Sequence, residues 1–287
     1  MNLIVEDMAK KLVLERPRDY HKGQCGRIFV IAGSAGLTGA ATLSAQAAMR
    51  AGAGIVTLAC PQSLNNIFEI KLTEVMTVPV AEAEPGKIGR VALGDLLARE
   101  KDFDVTLLGP GLGRHEETMM LVRDFISQAE SQLVIDADGL FALRQQCDLL
   151  RSCKKVPVLT PHLGEMAALM GISVEELRED IIGISCGAAK DYNAVFVVKS
   201  ERTIVALPNG EYLATGVGNS GMATAGSGDV LAGTIAGVYK LAREGVFPQL
   251  GVYIHGRAGD IAFEKQGLGL IASDIVNNIG VVLKELE

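Results

Sequence analysis

Of the 287 residues in this chain, 48% are hydrophobic and 21% charged, enough to bury a large core as one big α/β domain or two small ones, and with no linker to separate two, one continuous domain over residues 1–287 is expected. The formal net charge of -7 argues against nucleic acid or an anionic membrane as the main partner, while still allowing a local basic pocket for phosphates. The five cysteines, Cys25, Cys60, Cys147, Cys153 and Cys186, form no Cys-x-x-Cys pair, so neither a disulfide framework nor a zinc site is supported, and reduced thiols in a cytoplasm are expected.

Residues 1–14 interleave Glu6, Asp7, Lys10 and Lys11 with apolar residues, the pattern of an amphipathic helix rather than a secretory leader. No membrane span, repeat or interdomain linker is expected. Beyond it, short β-branched runs alternate with helical patterns, and strands are predicted at 27–31, 55–59, 105–108, 133–135, 156–159, 195–198 and 203–206. Most are apolar on both faces. That pattern belongs to a mainly parallel sheet covered by helices on both sides, and such sheets bind ligands at the carboxyl ends of their strands.

Each predicted strand exit carries its own chemistry. The first leads into Gly33-Ser34-Ala35-Gly36-Leu37-Thr38-Gly39-Ala40-Ala41, which is either a nucleotide-binding loop or a tight turn with close helix packing. It has no Lys-Ser/Thr after its last glycine and is not a P-loop. Residues 105–108 lead into Gly109-Pro110-Gly111-Leu112-Gly113-Arg114, a rigid open loop along which a ligand can lie against backbone. After 133–135 come Asp136 and Asp138, one expected to cap the next helix and the other to face a ligand or, through water, a metal. After 156–159, His162 and Glu165 stand three apart, a spacing that suits either a capping pair or a shared site. After 195–198, Lys199 suits either a solvated surface or a nucleotide phosphate.

The most informative stretch is Gly226-Ser227-Gly228-Asp229. Downstream, Leu231, Ile235, Val238 and Ala242 recur at helical spacing, so this run is read as a loop entering a helix. The first amides of a helix lack intrahelical partners and lie at the positive end of its dipole, which makes the run an anion site. Asp229 is either an ordinary N-cap or a base that takes the proton of a hydroxyl attacking phosphorus.

Six motifs then stand in one order: Gly-Pro-Gly-Leu-Gly, Asp-Ala-Asp-Gly-Leu, Thr-Pro-His-x-Gly-Glu, Lys-x-x-x-Thr, the run from Gly221 to Gly233, and the opening His21-Lys22-Gly23 followed by Arg50-Ala51-Gly52-Ala53-Gly54. In this the chain resembles the ADP/ATP-dependent NAD(P)H-hydrate dehydratases over nearly its whole length. Leu163, where that family usually has proline, and Ser200, where it has glycine, are the departures.

The resemblance implies a ribokinase-like three-layer α/β/α sandwich with a central, mostly parallel sheet, and a cytoplasmic hydro-lyase that repairs hydrated NADH or NADPH using ADP or ATP. It implies that Asp229 is the catalytic base and that Gly226, Ser227 and Gly228 form the anion hole. Ala40, Gly113, His162 and Asp229 would contact the hydrated dinucleotide. Lys199, Ser200, Glu201, Arg202, Thr203 and Gly228 would contact the adenine nucleotide, and Glu165 would organise Mg2+ through water. A homotetramer, a standalone dehydratase domain and a separate epimerase are expected with it. The alternatives are a small-molecule kinase for a vitamin precursor or sugar on the same fold, and a nucleotide sensor without turnover.

Overall fold

Strands that are apolar on both faces must be covered on both faces, and the computed structural model, which describes residues 3–287, is built on that requirement. The strands are β1 (Leu3–Ile4), β2 (Arg27–Ile31), β3 (Ile55–Pro61), β4 (Met76–Val80), β5 (Glu82–Glu84), β6 (Lys87–Ile88), β7 (Val105–Leu108), β8 (Gln132–Ile135), β9 (Val158–Leu159), β10 (Val195–Val198), β11 (Ile204–Ala206) and β12 (Tyr212–Thr215). Ten of them form one sheet in the order β1-β12-β11-β10-β9-β8-β7-β2-β3-β4, and β5 pairs with β6 as a separate hairpin. Neighbours in the large sheet are parallel except where β11 meets β10 and β12.

The period of two sorts the core into two layers. Ile28 and Val30 of β2, with Val195 and Val197 of β10, join one apolar cluster, while Phe29, Ile31, Phe196 and Val198 join the other. The first cluster is covered by α1 (Glu6–Leu12), α2 (Thr38–Arg50), α3 (Asn65–Lys71), α10 (Ser227–Gly237), α11 (Phe247–Gln266) and α12 (Ala272–Leu286). The second lies under α4 (Leu93–Glu100), α5 (Glu116–Gln128), α6 (Asp138–Ala142), α7 (Leu163–Met170), α8 (Val174–Glu179) and α9 (Ile181–Tyr192). This is the expected three-layer α/β/α arrangement. Among the described residues no helix is long and apolar enough to cross a membrane.

The structure departs from the sequence-based expectation at several ends. Residues 1 and 2 of the expected N-terminal helix lie outside the described residues, and Leu3–Ile4 pair with Ala214 and Thr215 as an edge strand, leaving the helix only Glu6–Leu12. The strand expected at 156–159 shortens to Val158–Leu159, because Pro157 has no N–H to give to a ladder. The strand β4 escapes the pattern because it contains Pro79, which a sheet edge tolerates.

Helices α2 and α10 approach closely enough to exclude side chains. A Cβ on Gly233 would collide with the Ser44 carbonyl, and one on Gly237 with the Ala48 carbonyl. Successive contacts four residues apart on both helices mean that they run side by side in one direction. Their N-termini therefore open at the same edge of the sheet, where the strands end.

Candidate active site

The order of the sheet reverses at β2, which lies between β3 and β7, and the exits of β2 and β7 are tied together there. Gly33 N donates to Pro110 O at 2.9 Å, and Ser34 Oγ donates to Gly111 O at 2.8 Å. The first glycine-rich loop is thus held as a tight turn against the second. The exits of β9 and β10 are joined likewise, since Lys199 N donates to Pro161 O at 2.8 Å and residues 162 and 199 form an isolated parallel bridge.

Between these two joined exits lies a compact group of charges. Asp136, 1% exposed, accepts from Thr160 Oγ1 at 2.7 Å and from Lys199 Nζ at 2.9 Å. Glu165 Oε2 lies 3.9 Å from the same ammonium. Burial works against the charge of Lys199, but Asp136 and Glu165 outweigh it and hold the ammonium above its ordinary range. Burial also raises the Glu165 carboxyl, against the pull of Lys199. The solvated-surface reading of Lys199 is therefore overturned: this lysine is the counter-ion of a buried carboxylate.

Asp229 is the third residue of α10 and is half-buried. It is not the N-cap, so the capping alternative fails: that position is Gly226, at φ +91, a left-handed conformation that favours glycine. Burial, followed by the negative charge of Asp136, pushes the Asp229 carboxyl up to about 7, with Lys199 opposing. Of the three amides expected in an anion hole, that of Ser227 donates at 3.3 Å to Thr224 O within its own loop. The next amide, from Gly228, falls in the first helical turn, where no intrahelical acceptor exists.

On one side of this helix start is a cavity of ≈ 860 Å³, within the range of small-molecule sites. His162, Lys199, Ser200, Glu201, Thr203, Ser227 and Gly228 line it. Arg202 is not among the lining residues; its carbonyl accepts from Ser200 Oγ at 2.7 Å. On the other side, Gly226 packs against Leu43 of α2, one turn from Ala40, and Gly113 N donates to Asp138 Oδ2 at 2.8 Å. Ala40 and Gly113 thus lie outside the cavity, while His162, expected with them, lines it.

One local expectation is corrected, and the choice left open for His162 and Glu165 falls to capping. Neither Asp136 nor Asp138 caps α6, whose N-cap Ala137 has φ 50 and no side-chain cap bond. Asp136 turns to Lys199, and Asp138 holds Gly113 N and pairs with Arg114 Nε at 3.2 Å. His162 and Glu165 form a capping box at the start of α7: Glu165 N donates to His162 Nδ1 at 3.2 Å, and His162 N donates to Glu165 Oε2 at 2.9 Å. Among the described residues no three His, Cys, Asp or Glu side chains cluster as a metal cage.

Two features went unread in the sequence. Asp260 pins the cavity wall, accepting from Gly218 N at 3.0 Å and from Asn219 Nδ2 at 2.8 Å. His255 of α11, buried, places Nε2 3.0 Å from Ser227 O. A lone histidine in an apolar helix offers no spacing by which to recognise this.

A family model described as NAD(P)H-hydrate dehydratase matches residues 28–280. The chain is 43% identical over 287 residues to the bifunctional NAD(P)H-hydrate repair enzyme of Moorella thermoacetica, covering 99% of this chain and 54% of that protein. It thus spans about half the length of that bifunctional relative. It is 33% identical over 270 residues to the ADP-dependent (S)-NAD(P)H-hydrate dehydratase of Neisseria meningitidis, covering 91% of this chain and 86% of that one. Among solved structures, a ribokinase-like superfamily protein from Enterococcus faecalis aligns with a TM-score of 0.85 at 24% identity, covering 100% and 96% of the two chains. The ADP/ATP-dependent NAD(P)H-hydrate dehydratase of Bacillus subtilis, co-crystallized with ATP/Mg2+, aligns with a TM-score of 0.82 at 24% identity, covering 100% and 99%. These two likenesses establish the ribokinase-like fold.

Proposed function

Because this chain belongs to the NAD(P)H-hydrate dehydratase family, we propose that it is a hydro-lyase returning hydrated NADH or NADPH to the dihydronicotinamide, with ADP or ATP as phosphoryl donor and Asp229 as base. The observation that carries this reading is a carboxyl pushed up to about 7 in the first turn of a helix, beside a cavity of nucleotide size. A base whose pKa lies near the working pH is both deprotonated and basic enough to accept a proton.

In this reading the adenine nucleotide fills the cavity along Lys199, Ser200, Glu201 and Thr203, while the hydrated ring approaches from the side of Ala40 and Gly113. Hydroxide leaves a carbon poorly, so the hydroxyl is first phosphorylated. Asp229 takes the hydroxyl proton as its oxygen attacks the terminal phosphorus, and the bond to the departing nucleotide breaks, releasing AMP from ADP or ADP from ATP. The Gly228 amide and the dipole of α10 stabilise the charge that grows on the phosphoryl oxygens. The phosphate ester then breaks at carbon, pushed by the ring nitrogen lone pair, and the neighbouring ring carbon loses a proton to restore the double bond.

Mg2+ suits this donor set as an ion carried by the nucleotide, since it keeps several waters and needs only one or two carboxylates beside phosphate oxygens. Glu165, next to Lys199, is the carboxylate that would hold it through water; the ion supplies charge neutralisation on the phosphates. Residues 1–287 act in this reading as one dehydratase domain, a reading supported by one sheet running from β1 to β4. A homotetramer and a separate epimerase belong to the same proposal, and the bifunctional name of the Moorella relative supports a second repair activity working alongside.

The test is regeneration of NADH absorbance from hydrated NADH with Mg2+ and ADP or ATP in parallel. Accumulation of a stable phosphorylated product points to a small-molecule kinase instead, and nucleotide binding without turnover to a sensor.

A further inference from the structure

We propose that His255 is the positioning residue of the anion loop, holding the Ser227–Gly228 peptide from α11 so that the Gly228 N–H stays aimed at the transferred phosphoryl group. The inference rests on the dehydratase reading and adds a residue to it.

A carbonyl oxygen only accepts, so the 3.0 Å contact between His255 Nε2 and Ser227 O fixes the proton on Nε2. The Ser227 hydroxyl is farther away, at 3.4 Å, which leaves the carbonyl as the main partner. A peptide unit is planar, and in the trans form its N–H points opposite to its C=O. The peptide between Ser227 and Gly228 is trans, as none of the described peptides is cis. Drawing the Ser227 carbonyl toward α11 therefore turns the Gly228 N–H away from α11. A hydrogen bond on the carbonyl also polarises the peptide and strengthens the N–H as a donor.

The surroundings of the ring fit this task. Burial lowers its pKa to about 4 although the Ser227 bond opposes the shift, so the ring is neutral under ordinary conditions. It contributes direction without adding charge to a site already holding Lys199. His255 and Gly228 both line the cavity, and Lys199 Nζ approaches Gly228, where an added Cβ would lie 3.2 Å from it. The amide is thus held between a lysine that attracts phosphate and a histidine that orients the peptide.

The experiment compares His255→Leu, which removes the donor, with His255→Gln, whose amide nitrogen reaches the place of Nε2. The leucine variant is expected to lower kcat about 10- to 100-fold, with the Kd for ADP, measured by calorimetry, unchanged within about threefold. The glutamine variant is expected to recover most of kcat. Equal losses in the two variants, or ADP binding that weakens in step with kcat, overturn the proposal. If the leucine variant does not fold, His255→Asn, whose amide stops short of Ser227, carries the same expectation. If the unsubstituted protein does not turn over hydrated NADH, the dehydratase reading fails, and the Gly228 amide resonance decides the positioning role separately. That resonance must shift on adding ADP to the unsubstituted protein and lose the response in the variant lacking the donor; equal responses in both overturn it.

Discussion

Lys199 Nζ reaches Asp136 Oδ1 at 2.9 Å, joining two strand exits that are 63 residues apart in the chain. With Glu165 and Asp229 nearby, this one ammonium is surrounded by three carboxylates. Removing it leaves buried negative charges with no counter-ion, a far larger cost than losing a surface pair.

Lys199→Met is therefore expected to destabilise the fold by roughly 3–5 kcal/mol. Because Lys199 lowers the pKa of Asp229, its loss also raises that carboxyl further, and the acid limb of the activity profile moves to higher pH. Urea unfolding and a pH–rate profile of the folded fraction check the two effects.

As the proposed base, Asp229 would act in its ionised form, so kcat is expected to fall as pH drops below about 7. Its effect on stability runs the other way. A carboxyl raised from 3.8 to about 7 in the folded protein favours the protonated form, so its contribution is fully present below pH 3.8 and is lost as pH rises through about 7. Asp229→Asn should therefore lower turnover about 10²–10⁴-fold and raise stability at pH 8 by roughly 1–3 kcal/mol. Nucleotide binding should persist. Single-turnover kinetics, calorimetry and thermal unfolding at pH 5 and pH 8 check these outcomes, and a variant less stable than the parent at pH 8 would contradict the assigned environment.

Gly233→Ala places a methyl group against the Ser44 carbonyl, where α2 and α10 have no room to separate without disturbing the site at their N-termini. The expected loss is about 1–3 kcal/mol, with a fall in kcat because the start of α10 moves. An alanine at Gly280 of α12 meets nothing within 4 Å and serves as the control. Denaturant midpoints of the two variants make the comparison.

Asp260→Ala removes the acceptor for Gly218 N and Asn219 Nδ2 and frees one wall of the cavity. Nucleotide affinity is expected to fall about tenfold or more, in keeping with roughly 1.5–3 kcal/mol for hydrogen bonds to a charged acceptor, while kcat at saturation holds. Calorimetry with ADP, set beside steady-state kinetics, separates the two.

The sequence by itself determined the layers, because a strand with apolar residues on both faces announces a sheet covered on both sides: 105–108 and 195–198 were legible from four residues each. It also determined that Gly226 to Asp229 enters a helix, since Leu231 and Ile235 downstream repeat at helical spacing. Only the tertiary structure decided what each exit does. Asp136 and Asp138 look alike in the chain, yet one is the partner of Lys199 and the other holds Gly113 N. Gly226, Gly233 and Gly237 look alike in the chain, but Gly226 turns the backbone into α10 while Gly233 and Gly237 let two helices meet. His255 carried no signal until α11 lay against Ser227. The physical reason is one of range. Periodicity and turn chemistry act between residues a few positions apart, whereas the charges and hydrogen bonds of the site act through space, between segments that only the order of strands in the sheet makes neighbours.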